Sequence, residues 1–186
     1  MIIKGKKVSL KLIQKEDIEL IRKWRNSKDV SQFFIFRGYI TKEQQKKWFE
    51  KVSTSGRDYF FLIIVDGEPI GLTEIKNIDW DRREGETGIF IAKDEYKNTL
   101  VPFEASYLNG RHFFETLNLL KNKIKVLESN ERGLRYNKKL GFKEVGKREE
   151  TIDGEICKVV LLEMSQNEYD KRAKKRERLL KLLSYK

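Results

Sequence analysis

Residues 130–142, NERGLRYNKKLGF, constrain the fold of this chain more tightly than any other stretch. Asn130 is a strong helix N-cap, because its side-chain oxygen accepts a first-turn N–H that the helix itself leaves unpaired. Gly141 stands where the chain turns left-handed to leave that helix, a conformation that costs glycine little. Phe142 and Val145 then open a strand, and residues 123–127, KIKVL, form a short strand on the other side. Strand, tight turn, short helix and strand in such close succession is a combination few folds need.

The remaining elements follow from periodicity and turn chemistry. Val8, Leu10 and Leu12 alternate with polar residues as in a half-buried strand, and Ile18, Leu20, Ile21 and Trp24 recur at helical spacing. Thr41 followed by Gln44 forms a capping box, opening a helix that turns Trp48, Phe49 and Val52 inward. Between these helices lie Phe33, Phe34, Phe36 and Tyr39, too irregular for either period, as a core plug or as the wall of a substrate pocket. Residues 59–65 and 69–76 read as a hairpin around Asp66, Gly67 and Glu68. A strand over 86–92 and a long helix over about 102–117 follow, and residues 142–151 and 155–164 close the fold as a hairpin across Asp153 and Gly154.

A chain of 186 residues with 39% hydrophobic content builds one buried core, expected over residues 1–165. Nothing in it reads as a membrane span or a secretory leader, so a cytoplasmic protein is expected. Cys157 is the single cysteine and reads as a packed thiol, His112 is the single histidine and reads as a surface or packing residue, and no metal site is expected. Forty basic against 29 acidic residues give a net charge of +11, which favours polyanionic ligands. Part of that excess lies in a basic tail over residues 166–186, read as a helix docking Leu179, Leu180, Leu182 and Leu183. No aromatic interleaving or RNA-binding motif accompanies it, so nucleic acid is not the expected partner.

Residues 130–142 resemble the pattern N-x-x-A-x-x-x-Y-x-K-x-G-F of the GNAT superfamily of acetyl-CoA-dependent N-acetyltransferases, and the order βααβββαβαββ matches that architecture from Val8 to about Met164. The resemblance implies an α/β (α+β) fold, a central, mostly antiparallel mixed sheet flanked by helices, with acetyl-CoA as cosubstrate. It assigns Asn130 to the position facing the coenzyme, Tyr136 to the position facing the thioester sulfur, and Lys139 to the coenzyme-binding set. The strand before the long helix splays from its neighbour in this superfamily, so Ile89, Phe90 and Ile91 would offer main-chain contacts to the pantetheine arm and an N–H to the developing oxyanion. The superfamily's next loop, R/Q-x-x-G-x-G/A, holds the pyrophosphate on backbone N–H groups. Here it reads Lys97, Asn98, Thr99, Leu100, Val101 and Pro102, with no glycine and a proline lacking an N–H, so side-chain donors from Lys97 and Asn98 would have to help.

Acyl transfer to an amine requires a neutral amine, a polarised carbonyl and protonation of the leaving thiolate. A tyrosine, with an ordinary pKa of about 10, donates to a thiolate while staying uncharged at neutral pH, and Tyr136 is assigned that role. Where many relatives carry a glutamate before the asparagine, this chain has Lys125, which leaves Glu74 and Glu86 as bases, directly or through water. Their alternative reading is that of solvated charges at strand ends.

For the acceptor, Trp24-Arg25-Asn26, the aromatic stretch and the segment from Thr41 to Phe49 resemble the UDP-4-amino-sugar N-acetyltransferases of pseudaminic acid (flagellin glycan) synthesis. That resemblance implies a nucleotide-linked amino sugar bound by Arg25, Phe33, Phe34, Phe36, Arg37 and Trp48. The same features occur in ribosomal-protein N-terminal acetyltransferases, and a non-catalytic, RNA-associated or regulatory module is the alternative outside enzymes. A cationic polyamine fits a chain of charge +11 worst. A homodimer is compatible with all of these.

Overall fold

A computed structural model describes residues 1–182 of the chain. Its elements are β1 (Ile2–Lys4), β2 (Val8–Leu12), α1 (Ile18–Asn26), α2 (Lys28–Ser31), α3 (Lys42–Thr54), β3 (Tyr59–Val65), β4 (Glu68–Asp79), β5 (Glu84–Ile91), α4 (Val101–Arg111), β6 (Lys121–Leu127), α5 (Glu131–Leu140), β7 (Lys143–Ile152), β8 (Glu155–Ser165), α6 (Gln166–Lys171) and α7 (Ala173–Leu182). The strands form one mixed sheet of eight in the order β1-β2-β3-β4-β5-β6-β8-β7. Neighbours are antiparallel except for β5 and β6, which run parallel. No helix among the described residues is long and apolar enough to cross a membrane.

The turns form where their residues permit positive φ. Asp66 and Gly67 close β3–β4 at φ 51° and 82°, and Asp153 and Gly154 close β7–β8 at 52° and 85°, the left-handed pairs of a two-residue hairpin. Asn130 caps α5, its Oδ1 accepting Gly133 N–H at 2.9 Å, and Gly141 leaves the helix at φ 121°. Thr41 and Gln44 close the capping box of α3 in both directions.

One face of the sheet, through Phe60, Leu62 and Leu72, packs on α1 and α3. The opposite face, through Val8, Leu10, Phe61 and Ile63, packs on Ala105 and Leu108 of α4. Glu104, 0% exposed on the first turn of α4, reaches the β1–β2 connection, where its carboxylate accepts the backbone N–H groups of Lys6, Lys7 and Val8.

Several expectations need adjusting. The edge strand β1 is too short to give a period. β5 and β6 each begin two residues earlier than the alternation indicated, because Glu84 pairs with Lys121 and Gly85 with Asn122. The long helix ends at Arg111 and continues as a π-type turn over His112–Thr116, which places His112, Phe113 and Phe114 all inside. His112 is thus a packing residue between the rings of Tyr59 and Phe61, and burial holds its imidazole below the usual range. The tail is not wholly peripheral either, since Tyr169 on α6 is buried and stacked on Phe114 at 4.6 Å. Of the tail leucines, Leu179 and Leu180 are half-buried and Leu182 is exposed, while Leu183 lies outside the described residues.

Candidate active site

The parallel ladder between β5 and β6 covers only Glu84–Lys121, Gly85–Asn122 and Glu86–Lys123. Beyond Glu86 the strands diverge, while β5 stays paired with β4 as far as Gly71–Ile91. The β6-facing edge of Thr87, Gly88, Ile89, Phe90 and Ile91 therefore has no strand partner. Helices α4 and α5 flank this fork, and a continuous cleft of about 1020 Å³ runs through it. Ile89, Phe90 and Ile91 line the cleft as expected, together with Lys97, Asn98, Thr99, Asn130 and Lys139.

The loop entering α4 uses most of its donors internally. Lys97 N–H goes to Asp94 O, Thr99 N–H to Tyr96 O, and Val101 N–H to Thr99 Oγ1 at 3.2 Å. Val101 also turns its side chain into the core, and neither it nor Leu100 lines the cleft, which corrects their assignment as coenzyme contacts. Positive charge gathers instead along the walls of the cleft. Arg132, which donates to Lys97 O, and Arg135 on α5, with Arg172, Lys175 and Arg176 beyond the expected core, line the same cleft. Sequence reasoning missed these residues; the basic tail was the available signal for Arg172, Lys175 and Arg176. A strand edge open to pairing and a cationic rim fit a pantetheine arm ending in phosphates.

Tyr136 is the main correction. Its hydroxyl donates to Pro102 O at 2.8 Å and lies 2.8 Å from Ser106 Oγ, both on α4, so the side chain bridges α5 to α4 across the cleft. Burial pushes its pKa well up, with the Ser106 hydrogen bond acting the other way, so the phenol is neutral. Counted forward from Asn130 or back from Gly141 and Phe142, the tyrosine position of the motif falls on Asn137, one residue later. One residue is about 100° around a helix, enough to change the neighbour a side chain meets. Tyr136 acts as a strut, and Tyr136→Phe should cost about 1 kcal/mol of stability, the usual value of one such hydrogen bond, with turnover kept within about tenfold. A loss of 10²-fold or more in kcat at normal stability would restore it as the leaving-group acid.

On the opposite face of the sheet, the carboxylates gather where β5 leaves β6. Glu74 is buried beside Gly88, its Cα partner on β5. A Cβ at position 88 would meet Glu74 Oε1 at 2.8 Å, so the glycine is what lets the carboxylate lie over the splayed strand. Lys76 Nζ pairs with Glu74, and Lys125 Nζ donates to Glu86 Oε1 at 3.0 Å. Lys125, in the place expected of a carboxylate, thus holds Glu86 rather than replacing it.

The segment between α1 and α3 forms one mouth of the cleft. Asn26 exchanges two hydrogen bonds with the backbone of Ile40, at 2.8 and 2.9 Å, and the buried Arg22 donates to Ile40 O at 3.0 Å. So pinned, the segment brings Phe33, Phe34 and Phe36 to the cleft, with Phe33 50% and Phe36 58% exposed. The Arg25 guanidinium lies over the Phe34 ring at 3.6 Å and its Nε is buried without a hydrogen-bond partner among the described residues. Burial lowers the Arg25 pKa, and Glu74 opposes that shift. Two expected acceptor contacts are corrected. Trp48 packs edge-on against Phe60 at 4.9 Å in the core, and Arg37 donates to Phe34 O at 3.1 Å; neither lines the cleft.

A forked mixed sheet with a strand edge open between two helices and paired carboxylates on the other face defines an acyltransferase of the GNAT type. The chain belongs to the Acetyltransferase (GNAT) domain family, whose profile matches residues 7–143. It is accordingly an acetyl-CoA-dependent N-acetyltransferase acting on an amine. Among similar proteins, the spermidine N(1)-acetyltransferase of Escherichia coli K12 is 26% identical over 164 residues, 87% of this chain and 88% of that one. Acetyltransferase PseH of Campylobacter jejuni (strain 81-176) is 28% identical over 123 residues, 66% of this chain and 74% of that one. Vibrio cholerae spermidine N-acetyltransferase, solved with CoA and spermine, superposes with a TM-score of 0.79 at 22% identity, over 89% of this chain and 99% of that chain. At that identity the superposition supports the shared fold.

Proposed function

We propose that this enzyme acetylates the amino group of a nucleotide-linked amino sugar. The observation that carries this reading is Arg25, stacked on Phe34 with an unpartnered buried Nε beside the exposed rings of Phe33 and Phe36. The Arg25 guanidinium, its Nη2 donating to Phe36 O at 3.2 Å, supplies a positive charge that suits a phosphate, and exposed rings suit a base or a sugar face.

Bound acetyl-CoA supplies a thioester, whose carbonyl carbon is the electrophile. Glu74, held over Gly88, takes the proton as the amine nitrogen forms the new C–N bond. The unpaired N–H groups of β5 beyond the fork stabilise negative charge on the carbonyl oxygen. As the C–S bond breaks, the proton that the amine lost balances the thiol product through solvent; Asn137 lines the cleft, its Nδ2 donating to Gly133 O at 2.9 Å.

A polyamine acceptor is the second reading, favoured by the spermidine acetyltransferase relatives. Against it stands the charge of the acceptor face, where Glu74 and Glu86 are each already paired with a lysine. A polycation needs carboxylates free to meet it. Assaying UDP-4-amino-sugars, spermidine and ribosomal-protein N-terminal peptides side by side decides the matter. UDP-amino-sugars should turn over, and Arg25→Ala should raise their KM by about 10- to 100-fold, as for a lost charge-assisted hydrogen bond of about 1.5–3 kcal/mol. Efficient acetylation of spermidine or of peptides without turnover of any UDP-amino-sugar would overturn the proposal.

A further inference from the structure

On the α4 side of the fork, the point where β5 and β6 part is floored by polar side chains instead of the aliphatic residues that otherwise line a sheet under a helix. Thr87 Oγ1 donates to Asn122 Oδ1 at 3.0 Å across the end of the parallel ladder. Thr73 Oγ1 donates to Gly88 O at 2.9 Å, and Asn109 Nδ2 on α4 donates to Glu74 O at 3.1 Å. All four side chains line the cleft, next to Phe114 and Ile124.

The exception to this satisfied network is Asn109 Oδ1. Asn109 is 4% exposed, and its Oδ1 is buried with no hydrogen-bond partner among the described residues. A buried acceptor without a donor costs about 1–3 kcal/mol, so a donor brought to Asn109 from the cleft would relieve that cost. A pantetheine arm paired along β5 places its thioester toward the parting point, and the acyl substituent is then the part that reaches the floor. An acetyl methyl has no donor to offer Asn109. An acyl chain carrying a hydroxyl does.

We propose that the fork holds an acyl subsite for hydroxyacyl thioesters, in which Asn109 Oδ1 accepts the hydroxyl of the acyl group. The inference rests on the coenzyme lying along β5 as argued above. Transfer keeps its balance: the amine nitrogen bonds the acyl carbon, the C–S bond breaks, and the hydroxyl is carried through unchanged.

Binding tests this without an acceptor. Calorimetry on the full chain would compare glycolyl-CoA with acetyl-CoA and 3-hydroxybutanoyl-CoA with butanoyl-CoA, pairs of equal carbon number differing by one hydroxyl, with free coenzyme A as reference. The hydroxylated member of at least one pair should bind about tenfold tighter, and Asn109→Leu should erase that preference while leaving coenzyme A affinity within about twofold. The wild-type comparison stands by itself if Asn109→Leu fails to fold. Equal affinities within both pairs would mean that water alone fills the chamber and would overturn the proposal, as would a preference that survives Asn109→Leu. If neither coenzyme A nor any acyl-CoA binds, the coenzyme reading fails first and this inference falls with it.

Discussion

Glu74→Gln should lower kcat by about 10²- to 10³-fold while leaving acyl-CoA affinity within about twofold. The substitution keeps the shape and one acceptor oxygen but removes the charge that takes the amine proton. It also leaves Lys76 without its partner, on a face where Glu86 is held by Lys125. Residual turnover should climb with pH as solution supplies the amine already deprotonated, which a purely structural role would not produce. Steady-state kinetics on Glu74→Gln and Glu86→Gln in parallel separates the two carboxylates. Loss confined to Glu86→Gln would transfer the role to that residue, and turnover within about threefold of wild type in both would exclude a carboxylate base on this face.

Glu104→Ala should be the most destabilising change near α4, by about 3 kcal/mol or more, because it strips the partner from three backbone N–H groups at once. For a chain of this size that corresponds to a fall in Tm of roughly 6–12 °C. Glu104→Gln, retaining an oxygen but losing the charge, should recover part of the loss. Denaturant melts of both variants test this, and a loss below about 1 kcal/mol in Glu104→Ala would show that water replaces the carboxylate there. Since the site lies on the other side of α4, coenzyme affinity in the folded fraction should be retained.

These two glutamates mark what sequence patterns can and cannot carry. Glu74 was legible as one of two carboxylates on strands near the fork, but nothing in the chain order says that Gly88 opposite would make room for it. Glu104 gave no signal, because its partners lie about a hundred residues away at the β1–β2 connection. The aromatic segment was legible as a pocket wall or a plug, and its Phe33, Phe34 and Phe36 line the cleft; Trp48, read both as turned inward on the next helix and as an acceptor contact, packs in the core. Tyr136 shows the converse error. A tyrosine in the motif region drew the catalytic role to itself, although the register of Asn130 and Gly141 puts the motif position on Asn137 and the hydroxyl is tied to α4.

What the sequence by itself determined is the local layer. The capped α5, the two hairpins with positive-φ turns, the box at Thr41 and the order of strands and helices follow from side-chain preferences acting over a few residues. The tertiary structure alone decided the fork, the strut from Tyr136 to Pro102 and Ser106, the unpartnered Oδ1 of Asn109 and the gathering of arginines from α5 and the tail around the cleft. Each of these depends on which distant groups are brought within hydrogen-bonding or charge-pairing range, and that is set by the packing of the whole sheet rather than by the residues on either side in the chain.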